Sequence, residues 1–177
     1  MHTKLYAYIY FHPNQRRIIR VTPTLSTDAY AQGDVLFVAT EIPNAVKEEG
    51  GCSKLVGAYM LDKNDQQSDI LFTFAEGNTA LGTINTSAGI SDADLLANNI
   101  CGITKIDSDQ ATSGAFIDNA RITQMLPSSL TGENTQDLLL LQAASGSTSV
   151  YVQGLLISDT TPTYAADDIQ LILHIEY

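Results

Sequence analysis

Asp168-Ile169-Gln170-Leu171-Ile172-Leu173-His174-Ile175-Glu176 carries the pattern that decides the fold. Ile169, Leu171, Leu173 and Ile175 recur at every second position. Gln170, His174 and Glu176 fall between them, and only Ile172 breaks the alternation. Successive side chains of a strand point to opposite faces, so this stretch reads as a strand with one face in a core. The same period appears at Ile70, Phe72 and Phe74 within 68–74. Further strand signals fall at 16–22, 35–40, 53–61, 100–106, 120–125, 137–142 and 148–157, and turn residues such as Gly33-Asp34, Glu49-Gly50-Gly51 and Asp62-Lys63-Asn64-Asp65 separate several of them.

One helix is expected, over 91–98. Ser91 can cap it, Asp94 sits three residues on, and Leu95-Leu96-Ala97 follow. Eight to ten short strands with so little helix predict a mostly β chain. The expected architecture is an antiparallel β-sandwich or jelly roll with one short helix and an N-terminal arm or hairpin. The long apolar runs and long helices of a parallel sheet are missing.

Lys4-Leu5-Tyr6-Ala7-Tyr8-Ile9-Tyr10-Phe11 is dense in strand formers, and His12-Pro13-Asn14-Gln15 breaks it before Arg16. This reads as a β-hairpin or as two extended arms. Tyr6, Tyr8 and Tyr10 fall on one face, with Leu5, Ala7 and Ile9 on the other. A terminal strand apolar on both faces needs cover, either as a core face or as a seam between subunits.

Charge is divided unevenly. The first 20 residues hold Lys4, Arg16, Arg17 and Arg20 and no Asp or Glu, a charge of +4. Residues 21–177 hold the other five Lys/Arg and all twenty Asp/Glu, a charge of −15, for the total of −11. The expected organisation is a basic N-terminal strand or arm over 1–20 and a single β-sandwich domain over 21–177. The candidate protein-contact residues are Lys4, Tyr6, Tyr8, Tyr10, Arg16, Arg17 and Arg20. An acidic body argues against direct nucleic-acid binding, because phosphate neutralisation needs a basic stripe. No stretch approaches the length of an apolar membrane span, and the N-terminus lacks the pattern of a cleaved signal, so a cytoplasmic origin is expected.

Signals for chemistry are weak. His2 is near the end, His12 is in a turn, and His174 is on the polar side of the last strand. None sits in a nucleophile motif. No His or Cys spacing suits a metal. Asp62, Asn64, Asp65 and Asp69 have the oxygen donors for Ca²⁺, as do the pairs Asp92/Asp94 and Asp107/Asp109. The EF-hand pattern fails at Gln66, and Asp in polar turns serves local hydrogen bonding. Neither an enzyme nor a cofactor is expected. The absence of Trp argues against a sugar-binding platform. Cys52 and Cys101 read as free, half-buried thiols rather than a disulfide. Thr22-Pro23-Thr24 and Thr161-Pro162-Thr163 echo each other, each ahead of a Tyr and an acidic residue, and read as entries to edge strands.

Three segments carry a resemblance when taken in order. They are 20–34 (Arg20-Val21-Thr22-Pro23-Thr24 through Gly33-Asp34), 61–72 (Leu61-Asp62-Lys63-Asn64-Asp65 through Phe72), and 160–173 (Thr160-Thr161-Pro162-Thr163-Tyr164 through Leu173). Over about 20–175 the chain resembles small structural proteins of tailed bacteriophages, above all capsid decoration or cement proteins. The resemblance implies a β-sandwich or jelly roll, a homotrimer on the capsid surface that contacts the major capsid protein, and no enzymatic activity. It marks no individual contact residue. A tail, baseplate or fibre component with the same sandwich is the first alternative, and a carbohydrate-binding module is the second.

Overall fold

The computed structural model describes residues 15–108, 114–117, 119–127 and 139–177. The chain forms two antiparallel sheets packed face to face, a β-sandwich with one short helix. The first sheet runs β1 (Arg16–Val21), β11 (Ile169–Glu176), β3 (Cys52–Asp62), β7 (Ala120–Gln124), β6 (Gly114–Ile117). The 11-residue β3 also pairs its start with β9 (Leu139–Gln142), so two short strands share one of its edges. The second sheet runs β2 (Val35–Ile42), β10 (Val150–Leu156), β4 (Ile70–Ala75), β5 (Ile100–Ile106), β8 (Leu126–Pro127). Helix α1 (Asp92–Asn98) links β4 to β5. Ser91 and Asp94 form the expected capping box, and Asn99 ends the helix in the left-handed conformation.

The alternating residues meet in the core. Ile169, Leu171, Leu173 and Ile175 face inward with Ile19 and Val21 of β1. Ile70, Phe72 and Phe74 oppose them from the second sheet, with Phe37, Val150, Val152 and Leu156. Gly154 lies between Phe37 on β2 and Phe72 on β4. A Cβ there would come within 2.5 Å of the Phe37 ring, so glycine is what lets that ring lie flat on the strand.

Two strands lacked a readable signal. β6 has four residues and β8 two, each too short to show a period. Pro127 sits on an outermost strand, where a missing N–H costs no ladder bond.

Of the two Thr-Pro-Thr segments expected at edge-strand entries, Thr22-Pro23-Thr24 lies between two edge strands, β1 and β2, whereas Thr161-Pro162-Thr163 leads into an interior strand. Both lie in the arches that carry the chain between sheets: β1 to β2, and β10 to β11. β11 is an interior strand, flanked by β1 and β3. The echo extends further than the tripeptides. In Tyr30-Ala31-Gln32-Gly33-Asp34 and Tyr164-Ala165-Ala166-Asp167-Asp168, the closing Asp accepts the N–H of the Ala three residues back, at 2.7 and 2.5 Å. The same Asp donates its own N–H to that Ala's carbonyl, at 3.1 and 3.3 Å. The arches also touch, since Tyr30 N–H donates to Pro162 O at 3.0 Å. The Tyr30 and Tyr164 rings meet edge to face with centroids 6.1 Å apart. Burial raises both phenols above their ordinary titration, so both stay hydrogen-bond donors: Tyr30 to Leu36 O at 3.0 Å, and Tyr164 to Ser68 Oγ at 3.3 Å. The repeated motif is therefore the local lock that closes one end of the sandwich.

Candidate protein-contact surface

Residues 16–21 form one strand paired along its length with β11, so Arg16, Arg17 and Arg20 stand on the edge of the first sheet. Lys4, Tyr6, Tyr8 and Tyr10 lie outside the described residues. Arg16 Nε pairs with Glu176 Oε2 at 2.9 Å across the ladder. Arg17 and Arg20 are exposed.

Between these arginines Ile18 points outward and is 50% exposed. It sits opposite His174 in register, and His174 sits opposite Gly57. The register then slips, from His174–Gly57 to Ile175–Leu55, leaving Val56 as an extra residue on β3. A bulge of this kind re-aims the side chains beside it. Here it accounts for the broken alternation, with Leu55, Ala58 and Met60 facing inward. Val56 instead joins Arg16, Arg17, Ile18 and His174 around a groove of about 510 Å³. The His174 ring is held against Tyr59, centroids 5.3 Å apart. Arg20, Ile172, Tyr59 and Gln124 then form one transverse row, and Leu61 and Ile122 pair in the next.

On the outer face of the second sheet Leu71, Ile103, Tyr151 and Leu155 are partly exposed, and the 76–90 loop covers the part around Gln153. Gln153, on the outer face of the second sheet, is 2% exposed beneath the 76–90 loop. Its side chain accepts from Leu81 N–H at 2.9 Å and donates to Thr79 O at 3.1 Å. The same loop bonds to Val35 and Gly33 through Asn85, Thr86 and Ala88. On the first sheet Tyr59, Leu61, Ile122 and Ile172 remain partly exposed. The result is an apolar face bordered by a basic edge strand, on an acidic molecule.

The aspartate-rich loop spends its oxygens on the protein. Asp62 accepts the N–H groups of Asn64 and Gln66 at 3.0 and 2.8 Å, an Asx-type turn. Asp168 accepts from Ala165 N–H and from the Asn64 amide. Asp65 pairs with Arg121 at 2.8 Å, and Asp69 accepts both the N–H and the hydroxyl of Ser108 at 2.6 Å. Asp94 is held in the α1 cap, Asp107 pairs with Lys105, and Asp109 lies outside the described residues. Among the described residues no three His, Cys, Asp or Glu side chains form a group able to hold a metal ion. Cys52 is exposed and Cys101 half-buried, both as free thiols, and burial raises the Cys101 titration. His2 and His12 fall outside the described residues.

Burial is the main cause that pushes the Asp62 carboxyl above its ordinary value of 3.8, with Asp65 and Asp168 adding to it. A carboxyl raised in the folded state contributes its full stability below the unfolded pKa and loses it as pH rises through the folded one. Stability of the parent relative to Asp62→Asn is therefore expected to fall as pH rises above 3.8. Urea titrations of both proteins across the acid range check this. A parent that gains on the variant over the same range would mean that the two N–H donors outweigh burial.

Sequence reasoning reached the arginines and missed Val56 and Tyr59. Val56 carries no signal of its own, because its direction follows from a register slip against a strand about 120 residues away. No family model, no curated protein and no solved structure matches the chain.

Proposed function

We propose that this chain is a non-enzymatic structural protein of a tailed-bacteriophage virion. In this reading it decorates and stabilises the capsid as a homotrimer that bridges neighbouring capsomers. Its partners are further copies of itself and the major capsid protein, with no direct contact to nucleic acid or membrane. The observation that supports this most is the partly exposed apolar row that the described residues place on the outer face of the first sheet. Tyr59, Leu61, Ile122 and Ile172 stay partly exposed there beside Ile18 and Arg20, while the 76–90 loop covers the part of the opposite outer face around Gln153. A cement protein acts by adding interface between shell subunits. Such an interface needs on the order of 1,000 Å² or more of well-fitted surface. The acidic remainder of the surface favours solubility of the decorated particle through like-charge repulsion.

Light scattering on the purified chain is expected to give three times the 19.1 kDa chain mass. The protein is also expected to sediment with capsids. A chain that stays monomeric and remains in the supernatant refutes the reading. Copy number separates shell from tail: on the order of hundreds per particle places it on the shell, and on the order of six places it in the tail or baseplate.

A further inference from the structure

Among the described residues five large apolar side chains are conspicuously exposed: Ile18, Leu95, Leu96, Leu140 and Ile157. Three of the five fall in two patches of opposite charge. Leu95 and Leu96, 42% and 78% exposed, stand on α1. Asp92 lies three and four residues before them, so all three share one side of the helix. The helix carries Asp92 and Asp94 in its first turn and no basic residue in its last. This is an apolar knob with an acidic rim. Ile18 stands in the groove with Val56 and His174, rimmed by Arg17 and by Arg16, which pairs with Glu176, with Arg20 further along the same edge. This is an apolar socket with a basic rim.

We propose that the Asp92–Leu95–Leu96 knob of one copy seats in the Arg17–Ile18–Val56–His174 groove of the next. The occupant is a second copy of this chain because both halves of the fit are on the same chain and their charges are complementary. Each half also leaves apolar surface in water that the other covers. The knob links β4 to β5 of the second sheet, whereas the groove opens on the outer face of the first. Used head to tail, the two patches make a contact of the heterologous kind, which closes into a ring when the rotation between copies permits. A three-membered ring is the homotrimer of the proposed function, on which this inference rests. The knob acts as a central anchor, and neighbouring apolar residues such as Tyr59 extend the contact.

Charge reversal with rescue tests the contact. Arg17, Arg20 and Asp92 are exposed, so Arg17→Glu/Arg20→Glu and Asp92→Lys are expected to keep the fold, checked by circular dichroism. Each is expected to weaken self-association at least tenfold in sedimentation equilibrium, and the chain carrying all three changes is expected to recover most of it. Leu96→Ser should weaken it without any change of charge. Variants that associate like the parent overturn this contact while leaving the homotrimer standing. Loss in the single-site forms without recovery in the combined chain also overturns it. A parent that is monomeric under every condition removes both this contact and the homotrimer.

Discussion

Phe72→Ala is expected to lower the stability of the fold by about 3–5 kcal/mol, the range for truncating a buried aromatic. Phe72 is fully buried on β4, between β10 and β5. Its ring packs on that of Phe37 with centroids 6.2 Å apart, beside Gly154. Gly154 has no side chain that can swing into the space left behind. The surrounding strands are held by ladder bonds on both edges, so they cannot collapse inward, and the cost of a void adds to the lost transfer energy. Urea denaturation measures the loss, and the thermal midpoint should fall by on the order of 10 °C. Phe72→Leu, which keeps most of the volume, should cost well under half as much. A loss below about 1 kcal/mol for alanine would mean that the two sheets do not close over this ring.

Tyr164→Ala is expected to be of similar size, about 3–5 kcal/mol, for a different reason. Tyr164 is buried where the two arches meet, edge to face on Tyr30, with its hydroxyl on Ser68. Truncation removes the ring that holds one arch against the other and leaves Ser68 without that donor. Tyr164→Phe keeps the ring and should cost about 1 kcal/mol, the net value of one hydrogen bond. The contact between the arches is tested by a double-mutant cycle of Tyr30→Ala and Tyr164→Ala. A coupling of about 0.5–1.5 kcal/mol is expected from the ring pair. Strict additivity would show that the arches are locked by their backbone bonds alone.

These two sites were legible to different degrees before the structure. Phe72 was marked as a core residue by its spacing from Ile70 and Phe74, because alternation is a property of consecutive residues. Tyr164 was visible only as part of an echo with the segment before Tyr30. The echo predicts two edge-strand entries, which holds for the copy ahead of β2 and fails for the copy ahead of the interior β11; both copies lie in arches that bond to each other. Proline's missing N–H does exclude it from a central ladder, but an arch between sheets satisfies that constraint as well as an edge does.

The contact surface divides in the same way. The basic character of Arg16, Arg17 and Arg20 was plain from composition, and the exposure of Ile18 among them was not. That His174 and Val56 complete a groove with them was not. His174 reaches Ile18 through a β1–β11 pairing that spans most of the chain, and Val56 reaches it through a bulge. Asp62, Asn64, Asp65 and Asp69 had the donor types of a cation loop. The Asp62 and Asp69 oxygens instead accept from N–H and hydroxyl groups, in part of Gln66 nearby and in part of Ser108, remote in sequence, and Asp65 forms an ion pair with Arg121.

The sequence by itself determined all but the shortest strands, the capped helix, most inward-facing residues and the split between a basic start and an acidic body. Each of these depends on neighbours within a few positions: side-chain alternation, turn chemistry, and the reach of Ser91 to Asp94. Only the tertiary structure decided which strands share a sheet, which outer face is covered, and how the arches, the bulge and the groove come together. Those outcomes depend on pairings between residues as far apart as Arg16 and Glu176, chosen by the packing of the whole core and not by any local pattern.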